Sequence, residues 1–224
     1  MDHPKILLTG DSALTIEFGA AIDPLINRRV QTLYKKLKTD PPSGVIDLIP
    51  TYRSLLIQYD PISLSDEHLR KIISSLMDEA EGLVKEAARI VEVPVCYGKG
   101  FGPDLEEVAA YHQLTVDDVI RIHSQSTYQV YMIGFTPGFP FMGGLDKRLL
   151  TPRKKIPREI VPAGTVGLAG QQTGIYPIES PGGWQLIGRT PIKLFDLCLG
   201  DPFYLKPGDQ VIFKPISKEE FEDY

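Results

Sequence analysis

Eleven of the chain's twenty glycines fall between Gly134 and Pro191, threaded with prolines. The runs are Gly134-Phe-Thr-Pro-Gly-Phe-Pro-Phe141, Pro162-Ala-Gly-Thr-Val-Gly167 and Ser180-Pro-Gly-Gly-Trp-Gln-Leu-Ile-Gly-Arg-Thr-Pro191. Glycine opens backbone angles closed to other residues, whereas proline fixes φ and deletes a donor. Their alternation excludes long helices here and specifies shaped, stiff loops between short strands. Aromatic residues set in such loops mark a candidate site.

A chain of 224 residues holds one large domain or two small ones, and either buries a core without staples. The two cysteines, Cys96 and Cys198, lie far apart with no Cys-x-x-Cys or Cys/His spacing, so neither a zinc site nor a disulfide framework is expected. Met1-Asp-His-Pro-Lys-Ile-Leu-Leu-Thr-Gly10 lacks the basic and apolar regions of a signal peptide, and no apolar run reaches bilayer length. A cytoplasmic protein without a membrane partner is expected. With 24 Lys+Arg against 29 Asp+Glu, the formal charge of −5 argues against general attraction to nucleic acid.

Before the glycine-rich stretch, the pattern is mixed. Leu14, Ile16 and Phe18 alternate as a strand, as do Leu55, Ile57 and Tyr59. Between them Asp23 caps a helix starting at Pro24, with Ile26, Val30, Leu33 and Leu37 on one stripe. A second helix carries Leu69, Ile72, Ile73, Leu76, Ala80 and Leu83 at helical spacing. The order strand, strand, helix, strand, strand, helix describes a small sheet with helices on one side. A boundary within residues 84–92 divides the chain into domains 1–88 and 89–224.

In the second domain Val91, Val93, Val95 and Tyr97 alternate as a strand. Asp104 with Glu107, and Thr115 with Asp118, match the capping patterns of two short helices. Beyond Tyr128 the β-prone segments 128–135, 165–169, 184–187, 192–195 and 210–213 alternate with turns, as in a closed barrel or sandwich.

No phosphate-loop motif or Gly-x-Ser-x-Gly elbow occurs, and Gly98-Lys-Gly-Phe-Gly102 lacks the spacing of a dinucleotide fingerprint. That segment is read as a tight loop feeding the Asp104 cap, or as a phosphate-binding nest. His123 follows Val119 by four and Ile120 by three, which puts an ionisable ring on an apolar helix face. It is either a buried, satisfied histidine or an acid/base group. Phe135, Phe139 and Phe141 either plug the barrel or wall an apolar or planar ligand, and Trp184 poses the same choice. Arg153, Lys154, Lys155 and Arg158 form a basic cluster: a solvated face, or a group that recognises carboxylate or phosphate. Gln171, Gln172 and Tyr176 can add neutral hydrogen bonds at its rim.

Several blocks together closely resemble one family. They are Gly98-x-x-x-Gly-Pro-Asp-Leu105, Ile122-His-Ser124, Gly134-Phe-x-Pro-Gly-Phe-Pro-Phe141, Pro152-Arg153, Pro157-Arg158, Pro162-Ala-Gly-x-Val-Gly167, Gln172-Thr-Gly-x-Tyr-Pro177 and Ser180-Pro-Gly-Gly-Trp-Gln-Leu-Ile-Gly188, with Gly10-Asp-Ser-Ala13 near the start. The sequence resembles the family of 5-oxoprolinase B subunits, also described as KipI-like or allophanate hydrolase subunit 1. The resemblance implies an α+β N-terminal domain, a ferredoxin-like sheet with two helices, followed by a mainly-β cyclophilin-like barrel.

It also implies partners: a KipA-like protein, the C subunit, and a LamB/YcsF-like protein, the A subunit. With them come ATP and hence Mg2+ as cofactors, in the conversion of 5-oxoproline to glutamate. Inhibition of a sporulation histidine kinase is the alternative the family suggests. An unstrained lactam is a poor electrophile, and phosphorylating its oxygen makes it hydrolysable, so such a site needs an anion clamp and controlled access of water. On this resemblance His123 and Arg153 are the catalytic candidates. Phe135, Phe139, Phe141, Arg158, Gln172, Tyr176, Gly182, Gly183 and Trp184 are the substrate-binding candidates. No ATP motif is visible, so the loops are expected to form half of a site that a partner completes.

Overall fold

The computed structural model describes residues 4–80, 88–98 and 100–224. The chain divides into two compact units, residues 1–87 and 88–224. Position 83 and residues 84–87 of the proposed boundary lie outside the described residues.

The first unit contains β1 (Lys5–Leu8), β2 (Ala13–Glu17), α1 (Pro24–Thr39), β3 (Val45–Pro50), β4 (Ser54–Tyr59) and α2 (Asp66–Ala80). Asp23 caps α1 as its sequence requires, its carboxylate accepting from the amides of Leu25 and Ile26 at 2.8 and 3.2 Å. The four strands form one antiparallel sheet in the order β1-β2-β4-β3. Leu14, Ile16, Leu55 and Ile57, on one face, close with Val30, Leu33 and Leu37 of α1 and Leu69 and Ile73 of α2 into a single core. Fully burying each such side chain stabilises by about 1.5–3 kcal/mol. Strands β2 and β3 run parallel, joined across α1 with β4 between them, which is the split β-α-β unit of ferredoxin-like sheets. One detail differs from β-α-β-β-α-β: the fourth strand, β1, precedes that unit as a hairpin partner of β2 instead of following the second helix.

The second unit begins with β5 (Ile90–Tyr97), α3 (Leu105–Tyr111) and α4 (Val116–Gln125). It continues with β6 (Thr127–Ile133), β7 (Pro140–Gly143), β8 (Arg158–Val161), β9 (Thr165–Ala169) and β10 (Gln172–Ile175). The last elements are β11 (Ser180–Gly182), β12 (Gln185–Arg189), β13 (Gln210–Pro215) and α5 (Lys218–Glu222). Seven strands close a barrel in the order β10-β7-β6-β13-β5-β12-β9. Alternation places Val93, Val95, Val130, Met142, Val166, Leu168, Ile175, Ile187 and Phe213 in the barrel core, with Leu105 and Val108 of α3 and Val119 and Ile122 of α4 packed on it. Closure leaves no free sheet edge. Strands β8 and β11 pair separately as a two-stranded ribbon.

Two local expectations change. Residues 192–195 form no strand: after Pro191 the Thr190 hydroxyl accepts from the Ile192 amide and bends the chain, leaving only a bridge between Phe195 and Phe203. Thr115 and Asp118 do form a capping box at α4, but Asp104 makes no side-chain cap at α3. Its carboxylate is taken by stronger, charged partners.

Candidate functional site

The outward-facing residues of the barrel wall make a second, smaller core. On β10, Thr173 and Ile175 point inward while Gly174 and Tyr176 face out, and on β7 Met142 points inward while Phe141 faces out. Phe139, Tyr176, Trp184, Leu186, Ala169 and Val161 pack together there, with Phe141 against them. Phe139 is the hub: its ring lies 5.1 Å from Tyr176 and 5.4 Å from Trp184, both edge-on, and 4.7 Å from Phe141. Such edge-to-face pairs contribute about 0.5–1.5 kcal/mol each beyond burial.

Two glycines make this packing possible. A Cβ on Gly174 would meet Trp184 and Phe139 at 3.0 Å, and one on Gly182 would stand 2.2 Å from the Tyr176 hydroxyl. Gly183 continues the same turn, its carbonyl accepting from the Lys154 amide at 2.8 Å.

Phe135 stands at the rim. Its φ of +67° is left-handed, a costly conformation for a bulky aromatic residue, yet its side chain is 66% exposed. The surrounding turn enforces it: the Gly134 amide donates to Phe139 O, Thr136 to Gly134 O and Phe139 to Thr136 O. Strain retained at an exposed aromatic residue is characteristic of functional surfaces. The ring meets Phe139 edge-on at 5.7 Å.

The basic cluster separates into a strut and a free cation. Asp104, 3% exposed, accepts from Arg158 Nη2 at 2.6 Å and from the Leu186 amide at 2.7 Å, and Lys154 Nζ lies 2.9 Å away. Lys154 also reaches Glu107 at 2.8 Å. The capping role fails because Asp104 instead fastens α3 to β12 and β8. Arg153, by contrast, pairs with no carboxylate among the described residues, and its guanidinium lies 5.9 Å from the centre of the Trp184 ring. Arg158 lies opposite Gly182 in the β8–β11 ladder, and its Nη1 is buried without a partner. Burial pushes the Tyr176 phenol up, opposed in smaller measure by the Trp184 backbone N–H and by Arg153 and Arg158. Its oxygen therefore keeps its proton and sits in a positive field.

His123 is elsewhere. It is wholly buried inside the barrel, stacked on Phe213 at 4.6 Å. Its hydrogen bonds define one tautomer. Thr173 Oγ1 donates to the Gly167 carbonyl at 3.1 Å, so it accepts from His123 Nε2–H at 3.0 Å. Nδ1 is then bare and accepts from the Tyr97 hydroxyl at 2.8 Å. The Tyr128 hydroxyl donates to the His123 carbonyl at 2.9 Å. Burial lowers the imidazole pKa to about 3, so the ring stays neutral. In this geometry the His123 ring is sealed inside the barrel, with both nitrogens engaged by Thr173 and Tyr97. Gln172, also buried, shares the outward face of β10 with Gly174 and Tyr176 by alternation.

Thus Phe135, Phe139, Phe141, Arg153, Arg158, Tyr176, Gly182, Gly183 and Trp184 come together, and His123 does not join them. Lys154 joins the group from the basic cluster, and Asp104 joins it although its sequence context assigns it no site role. The sequence marks Asp104 by a helix-start pattern and by the block Gly98 to Leu105, and nothing in spacing reveals a partner 54 or 82 residues away. Among the described residues no group of three or more His, Cys, Asp or Glu side chains could hold a metal ion, and no helix is long and apolar enough to cross a membrane.

Residues 4–205 match the family described as carboxyltransferase domain, subdomain C and D. The chain is 46% identical to the 5-oxoprolinase B subunit of Bacillus subtilis (strain 168) over 226 residues, covering 96% of this chain and 94% of that protein. It is 40% identical to the 5-oxoprolinase B subunit of Escherichia coli O157:H7 over 216 residues, covering 96% and 97%. The crystal structure of TTHA0988 superposes with a TM-score of 0.82 at 41% identity, over 92% of this chain but only 40% of that longer one. Strong identity along almost the full length of both bacterial relatives, together with the family match, places this chain among the 5-oxoprolinase B subunits, within the family of carboxyltransferase C and D subdomains.

Proposed function

We propose that the chain is the B subunit of an ATP-dependent 5-oxoprolinase, working with the A and C subunits to convert 5-oxoproline, ATP and water to glutamate, ADP and phosphate. Identity over nearly the whole length of two proteins so named carries the reading. The site's chemistry is compatible with it: an apolar aromatic wall for a small ring, with an unpaired cation beside it for the ring's carboxylate.

The carboxylates beside the aromatic wall do not by themselves fit a magnesium nucleotide. Hard cations take oxygen ligands, whereas Asp104 is held by Arg158 and Lys154, and Glu107 by Lys154. In this reading the nucleotide is held mainly by a partner, and this chain binds and orients the lactam. Phe135, exposed and strained at the rim, belongs to the surface that the partner completes. Nothing in the geometry favours kinase inhibition.

Reconstitution tests the proposal. The LamB/YcsF-like and KipA-like partners combined with this chain should release glutamate from 5-oxoproline and ATP, and omission of this chain should abolish release. Equal turnover without it would refute the assignment.

A further inference from the structure

Three groups around the Gly182–Trp184 turn share one property. Each has a donor that the described residues do not use. Arg153 has no acidic partner and lies over Trp184. Arg158 spends Nη2 on Asp104, but its buried Nη1 has no partner. The Tyr176 hydroxyl, which sits under Gly182, accepts from the Trp184 amide and keeps its own proton to donate. A buried donor left unsatisfied costs about 1–3 kcal/mol, so Arg158 Nη1, the buried one of the three, gains from an acceptor delivered here.

The charges narrow that acceptor. Lys154 and Arg158 are matched by Asp104 and Glu107, which leaves two cations of the cluster unmatched: the exposed Lys155, and Arg153, which lies over Trp184. A single unmatched guanidinium beside the ring suits a monoanion better than a phosphate dianion. The neighbouring surface is the aromatic wall of Phe139, Phe141 and Trp184, which favours a compact apolar body attached to that anion.

We infer that Arg153, Arg158 Nη1 and the Tyr176 hydroxyl form a carboxylate-binding subsite, with Asp104 as the positioning residue that aims Arg158 and Trp184 as the wall beside it. The guanidinium fork of Arg153 gives the charge-assisted bonds and Tyr176 a neutral third donor. Asp104 acts indirectly: it holds Arg158 Nη2 and the Leu186 amide, two residues past Trp184, and so fixes both sides of the subsite. That 5-oxoproline is the natural carboxylate rests on the oxoprolinase reading; the subsite itself does not.

Trp184 is the chain's only tryptophan, so its fluorescence reports this place alone. The full chain is titrated with 5-oxoproline, with cyclopentanecarboxylate, with 2-pyrrolidinone, which lacks the carboxylate, and with inorganic phosphate. Saturable changes are expected with both carboxylates and neither of the other probes. Arg153→Gln and Tyr176→Phe should each weaken them by about tenfold or more, whereas Lys155→Gln should leave them within about twofold. Asp104→Asn should weaken carboxylate binding while retaining the Arg153 dependence.

The inference is overturned by no saturable response to either carboxylate, by equal affinity in Arg153→Gln, or by tighter binding of phosphate. Binding of cyclopentanecarboxylate but not 5-oxoproline would support the subsite and count against the oxoprolinase reading. Reconstituted turnover indifferent to Arg153→Gln and Tyr176→Phe would overturn the subsite and leave that reading standing.

Discussion

Two polar clusters of the barrel unit, one inside the wall and one outside it, are built on opposite rules. Inside, Tyr97, His123, Thr173 and Gly167 O form a chain in which each donor meets an acceptor. Outside, Arg153, Arg158 and Tyr176 carry donors in excess of acceptors. The strands are shared: Thr173 faces in and Gly174 faces out from adjacent positions of β10. A saturated network specifies a core, whereas an unsaturated one beside an aromatic wall is available for a ligand. Of two polar clusters on one scaffold, the incomplete one is the better candidate for function.

The sharpest break with this comparison would come from His123→Leu. It orphans Tyr97 and Thr173 inside the barrel and should cost about 3 kcal/mol or more, read as a lowered urea midpoint. A loss below about 1 kcal/mol would mean the chain is not a closed network. In the intact protein, nitrogen NMR should show His123 as the Nε2–H tautomer.

Acid should produce a slightly smaller effect with a defined sign. The folded imidazole titrates near pH 3 and the unfolded one near 6.5, so the unfolded state binds the extra proton first. Its contribution is complete above about pH 6.5 and is lost as pH falls toward 3, amounting to about 2–3 kcal/mol by pH 4.5. His123→Gln should remove that part of the acid dependence. An unchanged slope would reject the neutral, buried ring.

On the outer side, Gly182→Ala forces a methyl group onto the Tyr176 hydroxyl and should destabilise by about 1–3 kcal/mol in thermal unfolding. Adding Tyr176→Phe removes the nearest atom and should restore part of the loss. Smallest in stability is Arg153→Gln, expected at about 0.5 kcal/mol because the exposed side chain contributes only a long cation–π contact with Trp184. If it proved strongly destabilising, Arg153 would belong with Asp104 and Lys154 as a strut.

The helix and strand patterns were legible where one local rule decided them. Asp23 and Thr115 cap because their helix starts compete with nothing else, and β4 alternates because one face is buried. Asp104 reads identically as a cap and is not one, because Arg158 and Lys154 offer stronger partners that local sequence does not announce. The aromatic and arginine residues were found through long ordered blocks, but their division of labour was not. Whether Arg158 is spent or spare depends on a carboxylate 54 residues away. His123 was placed correctly on an apolar face, yet only the fold shows that this face is the barrel interior.

Drawing β1 from before the split β-α-β unit has a temporal consequence. Every pairing in the first sheet is made between residues no later than Tyr59, so that sheet can be completed early in synthesis. The barrel cannot follow that schedule. Its β5 waits for β13, and Arg89 for Asp209, 120 residues downstream. Loop closure over such a span is slow relative to local pairing. A nascent chain therefore carries a finished first sheet ahead of an unclosed wall, whose β5 edge stays open to other strands until β13 emerges.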